Sequence, residues 1–142
     1  MKKILISFLI TITLLAYSYE DPNLAKIYIE KAFSYYKGNQ YDICKEYLDR
    51  SFSYSNSLPE YYYISNLTTD NNSSNNYIRY SNALSIEKYI KNSFMVKEYS
   101  LLNHIAKVYK SVREFEKSFN IYKEIFKIDD IGLKKDYLEC ID

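Results

Sequence analysis

Apolar residues recur every three or four positions along most of this chain, which is the spacing of one face of an α helix. The first such segment runs from about Pro22 to Lys37, and Asp21-Pro22 before it is a typical helix start. This helix has two adjacent apolar faces, so we expect it to pack on two neighbours. One face holds Leu24, Ile27, Tyr28, Ala32 and Tyr35, and the other holds Ile29, Phe33 and Tyr36.

The same spacing predicts five more helices and a short last one. The second helix contains Tyr41, Cys44, Leu48 and Phe52, and the third contains Tyr61, Tyr62, Ile64 and Leu67. The fourth begins near Asn75 or Asn76, and the fifth extends from Met95 to Tyr109. The sixth extends from Phe115 to Phe126, and the last from about Ile131 to Ile141. The sixth has the strongest amphipathic pattern. No useful strand alternation is found, so the pattern predicts an all-α fold.

Turn and cap residues separate these segments. Gly38 suits a left-handed helix end and Asn39 suits a cap for the next helix. Two Ser-x-x-Glu capping boxes are predicted, Ser57 to Glu60 with Pro59 in the first turn, and Ser111 to Glu114. The clearest loop is 68–76, because its run of short polar side chains competes with helical hydrogen bonding.

The composition agrees with a helical protein. Two glycines and two prolines in 142 residues are too few for the many tight turns of a β sandwich or barrel. The chain has 19 basic and 18 acidic side chains, so it lacks the basic field that nucleic-acid binding requires. We therefore predict no nucleic-acid partner.

Residues 1–18 are predicted to be a secretory signal peptide. Lys2 and Lys3 precede an apolar run from Ile4 to Ala16, and Ala16-Tyr17-Ser18 offers small residues for cleavage. The run is shorter than the ~20 residues of a membrane span. We expect a bacterial protein exported to the periplasm or cell surface, with no membrane span after cleavage; an uncleaved anchor or a buried first helix is the alternative.

The helices are predicted to form pairs that resemble one another. In both 35–44 and 109–118 an aromatic residue ends one helix, a polar turn follows, and an aromatic residue opens the next helix, with a small residue three positions later. The aromatic residues that open the second helices are Tyr41 and Phe115. Their separation equals two periods of about 37, or two of about 34 with six extra residues in the 70–76 loop.

This pattern resembles the tetratricopeptide repeat family. Its first-helix motif of a large residue, a small residue and Tyr is matched by Tyr28, Ala32 and Tyr35, and by Leu102, Ala106 and Tyr109. Its second-helix motif is matched by Tyr41, Cys44 and Leu48, and by Phe115, Ser118 and Tyr122. The middle repeat departs from the pattern, since Asn66 and Tyr80 stand where small residues are wanted, and the closing proline is nearly absent.

The resemblance implies an α-solenoid of about three helix hairpins over 19–142, with repeats near 22–56, 57–92 and 94–130 and a capping helix at 131–141. In that family the first helices of the pairs line a concave groove that holds a peptide or a partner helix. The corresponding residues here are Ile29, Phe33, Tyr36, Tyr63, Asn103, Lys107 and Lys110. An irregular helical bundle with accidental pairing is the alternative fold.

The sequence offers little chemistry. The single histidine, His104, has no cysteine or carboxylate at metal-ligand spacing, and no Gly-rich phosphate loop is present. Cys44 and Cys140 lie near opposite ends of the chain, so we expect two apolar residues and no disulfide. We therefore expect no enzyme, cofactor or metal.

The leading hypothesis is a protein-binding scaffold. A self-associating or shortened repeat protein without a groove ligand is the second hypothesis, and a small enzyme with an unrecognised site is the third.

Overall fold

The computed structural model of the chain describes residues 20–70 and 72–128, which form six α helices and no strand. The all-α prediction is thus confirmed for this part of the chain. The helices are α1 (Pro22–Lys37), α2 (Tyr41–Tyr54), α3 (Pro59–Thr68), α4 (Asn76–Tyr89), α5 (Glu98–Ser111) and α6 (Phe115–Ile128). The predicted signal peptide at 1–18, the capping helix at 131–141 and Cys140 lie outside the described residues.

Helix starts follow the predicted signals at two prolines. The Asp21 side chain accepts a hydrogen bond from the Leu24 backbone N–H at 3.0 Å, and Pro22 occupies the first turn of α1. Pro59 occupies the first turn of α3. Both arrangements satisfy or remove an N–H group that the first turn of a helix leaves unpaired.

The two predicted capping boxes are wrong. The residue before α3 is Leu58, and no side chain caps that helix. Ser111 is the last residue of α5, and its hydroxyl donates to the Val108 carbonyl at 2.8 Å. Glu60 and Glu114 therefore do not reach back to cap a helix N-terminus.

The turn between α1 and α2 corrects the prediction for Gly38. Gly38 has an ordinary φ of −83°, and the left-handed residue is Asn39 with φ 57°. Arg113 holds the equivalent place in the α5–α6 turn and is also left-handed, with φ 66°. Asparagine adopts this region more readily than arginine does.

These two turns share one hydrogen-bond pattern. The Gln40 N–H donates to the Tyr35 carbonyl at 2.9 Å, and the Glu114 N–H donates to the Tyr109 carbonyl at 2.8 Å. The neighbouring backbone bonds of residues 38 and 39 recur at residues 112 and 113, with the same spacing between donor and acceptor. The two turns are thus the same backbone structure.

The helices pack as consecutive pairs, α1 with α2, α3 with α4 and α5 with α6. Helix α3 also contacts both α1 and α2, and α4 also contacts α5. Two serines join the paired helices, since Ser51 donates to the Ala25 carbonyl at 3.0 Å and Ser118 to the Ala106 carbonyl at 2.8 Å.

The buried residues form two clusters. The first joins α1 and α2 to Ile64 of α3, and the second joins α4, α5 and α6. Tyr63 packs against both clusters. The small residues at the predicted helix contacts are fully buried, as close helix approach requires: Ala32, Cys44, Ala106 and Ser118.

Candidate functional site

The first helices of the three pairs lie next to one another. Helix α1 contacts α3, and α3 reaches α5 because the Tyr63 ring lies 4.9 Å from the His104 ring. The order α1, α3, α5 brings most of the predicted groove residues onto neighbouring helices.

One predicted groove residue is wrong. Ile29 is fully buried in the first core cluster and offers no surface to a ligand, because it shares the helix face of Ala25 and Ala32. The other six are half-buried or exposed. Phe33, Tyr36, Tyr63, Asn103 and Lys110 are half-buried, and Lys107 is exposed.

An aromatic row crosses the three helices. The rings of Phe33 and Tyr36 stack at 6.1 Å with 15° between their planes. Tyr63 of α3 meets His104 of α5 edge to face, at 83°. Half-buried rings of this kind combine apolar contact area with polar atoms at their edges, which suits protein recognition. We call Phe33, Tyr36, Tyr63 and His104 the aromatic row.

Two rings of the row, Tyr63 and Phe33, have electrostatic interactions with neighbouring side chains. Burial raises the pKa of the Tyr63 hydroxyl above its usual range, and proximity to Tyr36 raises it further. Lys37 lies over the Phe33 ring, with its Nζ 4.5 Å from the ring centre. Lys107 of α5 brings a second positive charge near the row, since it contributes to the lowered pKa of His104.

His104, which the sequence analysis set aside as a lone histidine, sits in a polar cluster between α3, α4 and α5. The Asn66 amide nitrogen donates to the Arg79 carbonyl at 3.2 Å and lies 3.1 Å from His104 Nε2. Because a carbonyl only accepts, this atom of Asn66 is the NH2 group, and His104 Nε2 is the acceptor. His104 is therefore neutral, with its proton on Nδ1. Asn82 completes the cluster by donating to Asn66 Oδ1 at 2.9 Å.

The cluster keeps His104 uncharged. Burial, followed by the positive charges of Arg79 and Lys107, lowers the pKa of His104 to about 4. The ring at the α5 end of the aromatic row is thus a neutral surface at physiological pH.

Glu60 holds the segment between α4 and α5. Its side chain is fully buried, and Oε1 accepts hydrogen bonds from the backbone N–H groups of residues 94, 95 and 96 at 2.8, 2.9 and 3.2 Å and from the Ser93 hydroxyl at 2.7 Å. This arrangement places Phe94 beside α1, where Lys26 Nζ lies 5.4 Å from the centre of its ring. The Ser57-to-Glu60 spacing predicted a capping box and gave no sign of this role.

Three buried polar atoms have no hydrogen-bond partner among the described residues. They are Glu60 Oε2 on α3, Arg79 Nε on α4 and the Asn103 side-chain oxygen on α5. A buried polar atom without a partner costs about 1–3 kcal/mol. Asn103, a predicted groove residue, therefore carries a buried acceptor that no described residue satisfies.

The described clefts lie away from the row. One of about 420 Å³ lies between α4 and α6 and is lined by Glu87, Tyr109 and Lys117 among others. Another of about 340 Å³ lies between α2 and α3 and is lined by Tyr41, Asp49 and Tyr61 among others. No predicted groove residue lines either cleft.

Candidate chemistry is sparse in residues 20–70 and 72–128. This part of the chain holds no group of three or more His, Cys, Asp or Glu side chains suited to a metal ion. Burial raises the pKa of the Cys44 thiol, which makes it a poor nucleophile at neutral pH. Among the helices the structure describes, none is long and apolar enough to cross a membrane.

Comparison of the chain with protein-family models, with curated proteins and with solved structures finds no match in any of the three. The function of the protein must therefore be inferred from the residues of the site.

Proposed function

We propose that this protein is a non-catalytic scaffold that binds another protein through the surface formed by α1, α3 and α5. The aromatic row is the observation that carries the proposal, because its rings come from the first helices of three successive pairs and Tyr36 lies close enough to Tyr63 to raise its pKa. Phe33, Tyr36 and Tyr63 supply contact area, and Asn103, Lys107 and Lys110 supply hydrogen bonds and positive charge.

We further propose that the three helix pairs form a solenoid of the tetratricopeptide type. The matching turns after α1 and α5 support this arrangement, since turns that share their backbone hydrogen bonds and their left-handed residue imply equivalent hairpins. The contacts of α3 with α1 and of α4 with α5 also support it. In such a stack the first helices form the inner surface of the curve.

The ligand that fits this surface is a peptide segment in extended or helical form. The aromatic row is open and only half-buried, which favours a polypeptide lying across it over a small molecule enclosed in a cavity. The lysines at its margin favour acidic side chains in that polypeptide.

We propose that the protein is bacterial and acts outside the cytoplasm, in the periplasm or at the cell surface, after removal of residues 1–18. The charged start and short apolar run support this location. N-terminal sequencing of the protein recovered from its native cell tests it, since an intact residue 1 would contradict cleavage.

Site-specific photo-crosslinking in the native cell tests the binding surface. A photoreactive phenylalanine analogue replaces Tyr36 or Tyr63, and the matched control replaces Tyr77, which is 80% exposed and lies at the start of α4. We expect one crosslinked protein at both positions of the row and none of it at Tyr77.

Crosslinks of equal yield at Tyr77, or the absence of any crosslinked protein at Tyr36 and Tyr63, would contradict the proposal. Crosslinks only to the protein itself would favour the second candidate function, a self-associating structural protein. Four half-buried tyrosines of α1 and α2, Tyr28, Tyr35, Tyr47 and Tyr54, favour that candidate independently of the groove.

A further inference from the structure

A row of half-buried tyrosines lies along one side of the first helix pair. Tyr54, Tyr28, Tyr47 and Tyr35 follow one another, with ring-centre distances of 5.8, 6.1 and 5.3 Å. Lys31 Nζ lies 6.0 and 5.6 Å from the rings of Tyr28 and Tyr47. Arg50 lies 5.4 Å from Tyr47 and forms an ion pair with Glu46. We call these four tyrosines with Lys31 and Arg50 the tyrosine face.

The same face of the third helix pair is covered by a helix. When the two pairs are aligned on their matching turns, Tyr28, Tyr35 and Tyr47 correspond to Leu102, Tyr109 and Ile121, which are 5%, 0% and 5% exposed. They belong to the core cluster that Ala83 and Ile86 of α4 complete, and the Tyr109 hydroxyl donates to Glu87 of α4 at 2.5 Å. The backbone that forms the tyrosine face is thus built to receive a helix.

The tyrosine face is also more polar than its counterpart, because it carries a charge. Lys31 stands where the third pair has the fully buried Ile105, so a positive charge lies within the face. A helix seated there would meet tyrosine rings together with basic groups, and it would need both apolar and acidic side chains.

The C-terminal residues of the chain have that chemistry. Residues 129–142 contain five acidic side chains against two lysines, together with four aliphatic residues that the sequence pattern places in one predicted helix: Ile131, Leu133, Leu138 and Ile141. They follow α6, at the opposite end of the order of helix pairs from the tyrosine face. A second copy placed end to end would bring these residues to the tyrosine face.

We propose that the tyrosine face binds residues 129–142 of a second copy of this chain. In this contact the aliphatic side chains pack on the rings, and Asp136 and Glu139 approach Lys31 and Arg50. The contact joins two different surfaces, so each copy keeps one free end and association proceeds head to tail into open chains. It uses different residues from the aromatic row, and it rests on the proposed stack of helix pairs but not on the proposed ligand.

The test is light scattering coupled to size-exclusion chromatography of the chain from residue 19 to residue 142. We expect the mean mass to rise with concentration up to about 500 μM, a range that detects weak contacts. Raising the salt to about 1 M should weaken association, because the Debye length falls to about 3 Å.

Charge-reversal variants test whether the proposed ion pairs hold the contact together. A head variant, Lys31→Glu with Arg50→Glu, and a tail variant, Asp136→Lys with Glu139→Lys, should each associate at least tenfold more weakly. Mixing the two variants, or combining all four substitutions in one chain, should restore association because each pairing again joins opposite charges. Lys45→Glu with Lys88→Glu reverses two exposed charges elsewhere and should leave association unchanged.

Three results would overturn the proposal. The first is a wild-type chain that stays monomeric over the whole concentration range. The second is association that the head or tail variant leaves unchanged. The third is failure of the mixture and of the fourfold variant to associate again. Circular dichroism of each variant establishes that it is folded before its mass is interpreted.

Discussion

The first helix pair, α1–α2, and the third, α5–α6, share a turn but differ in what covers them. Both turns place one non-glycine residue in the left-handed region and repeat the same backbone hydrogen bonds. The outer face of the third pair is buried beneath α4, whereas the equivalent face of the first pair is a half-buried row of tyrosines. The first and third pairs thus share the backbone of their turns but differ in the side chains of the equivalent face.

This difference shows which features belong to the hairpin itself. The turn bonds and the buried small residues Ala32, Cys44, Ala106 and Ser118 are common to both pairs. The corresponding positions vary with the neighbour, from Leu102 and Ile105 beneath α4 to Tyr28 and Lys31 in the first pair. Tyrosine and lysine keep a face that none of the described helices covers compatible with water.

The largest expected effect is a difference in stability loss between alanine substitutions at two equivalent tyrosines, Tyr109 and Tyr35. Tyr109→Ala should lower the free energy of unfolding by about 3–5 kcal/mol, because it empties a fully buried site and leaves Glu87 without its hydrogen bond. Tyr35→Ala should cost about 1 kcal/mol, because that ring is only half-buried. Urea unfolding of monomeric protein measures both, and equal losses would mean that the two faces are covered alike.

A second comparison concerns the two glutamates that the sequence analysis assigned to capping boxes. Glu60→Ala should cost about 3 kcal/mol, because three backbone N–H groups of residues 94–96 lose their acceptor. Glu114→Ala, the matched substitution before α6, should cost about 0.5 kcal/mol or less. Urea unfolding again measures the difference, and a Glu114 variant as unstable as the Glu60 variant would restore the capping-box interpretation.

The third prediction contrasts His104 of α5 with the exposed Glu30, which occupies the equivalent position of α1. The folded-state pKa of His104, about 4, lies below its ordinary value of 6.5, so unfolding takes up a proton between these values. Its contribution to stability is complete above pH 6.5 and is lost as the pH falls through 4. The loss should be about 2 kcal/mol, less than the full pKa shift implies because the ring is partly exposed.

Unfolding free energies measured from pH 7 to pH 4 test this contribution. His104→Gln keeps an acceptor for Asn66 without a titrating ring, so its stability should fall less steeply over that range. Glu30→Gln is the control for a substitution at the equivalent exposed position of α1, and it should change the unfolding free energy at pH 7 by no more than about 0.5 kcal/mol. Parallel curves for the wild type and the His104 variant would contradict the role of the polar cluster.

The smallest effects concern the shared turn. Arg113→Gly should stabilise the chain by about 0.5–1 kcal/mol, since glycine adopts φ 66° without strain. Asn39→Gly should gain less, because asparagine already tolerates this region. Thermal unfolding detects both, and a loss of stability at either position would indicate that its side chain makes contacts worth more than the strain.

Much of the fold was predictable because the residues that favour helix starts and the apolar spacing within each helix indicate the same helices. Asp21-Pro22 set the start of α1, and the polar residues before Asn76 set the start of α4. Met95 was predicted to lie in the fifth helix, yet α5 begins at Glu98. The reason lies far back in the chain, where the Glu60 carboxylate binds the N–H groups of residues 94–96, and helical spacing carries no signal for such a contact.

The candidate site was predictable in outline only. Tyr36 and Tyr63 are half-buried, so their groove role stays a prediction, but Ile29 belongs to the core. The periodicity could not separate the two adjacent apolar faces of α1, because both pack against neighbours. His104 was passed over because its partners, Asn66 on α3 and the Arg79 carbonyl on α4, come together only when the helices pack.

The most direct test of the proposed binding surface uses the protein captured by crosslinking. Its affinity, measured by titration calorimetry, is compared between the wild type, the groove variant Tyr36→Ala with Lys107→Ala, and the tyrosine-face variant Tyr47→Ala. The groove variant should bind at least tenfold more weakly, a change of about 1.4 kcal/mol, and the tyrosine-face variant should bind as the wild type does. Unchanged binding by a folded groove variant would contradict the central claim that α1, α3 and α5 form the ligand surface.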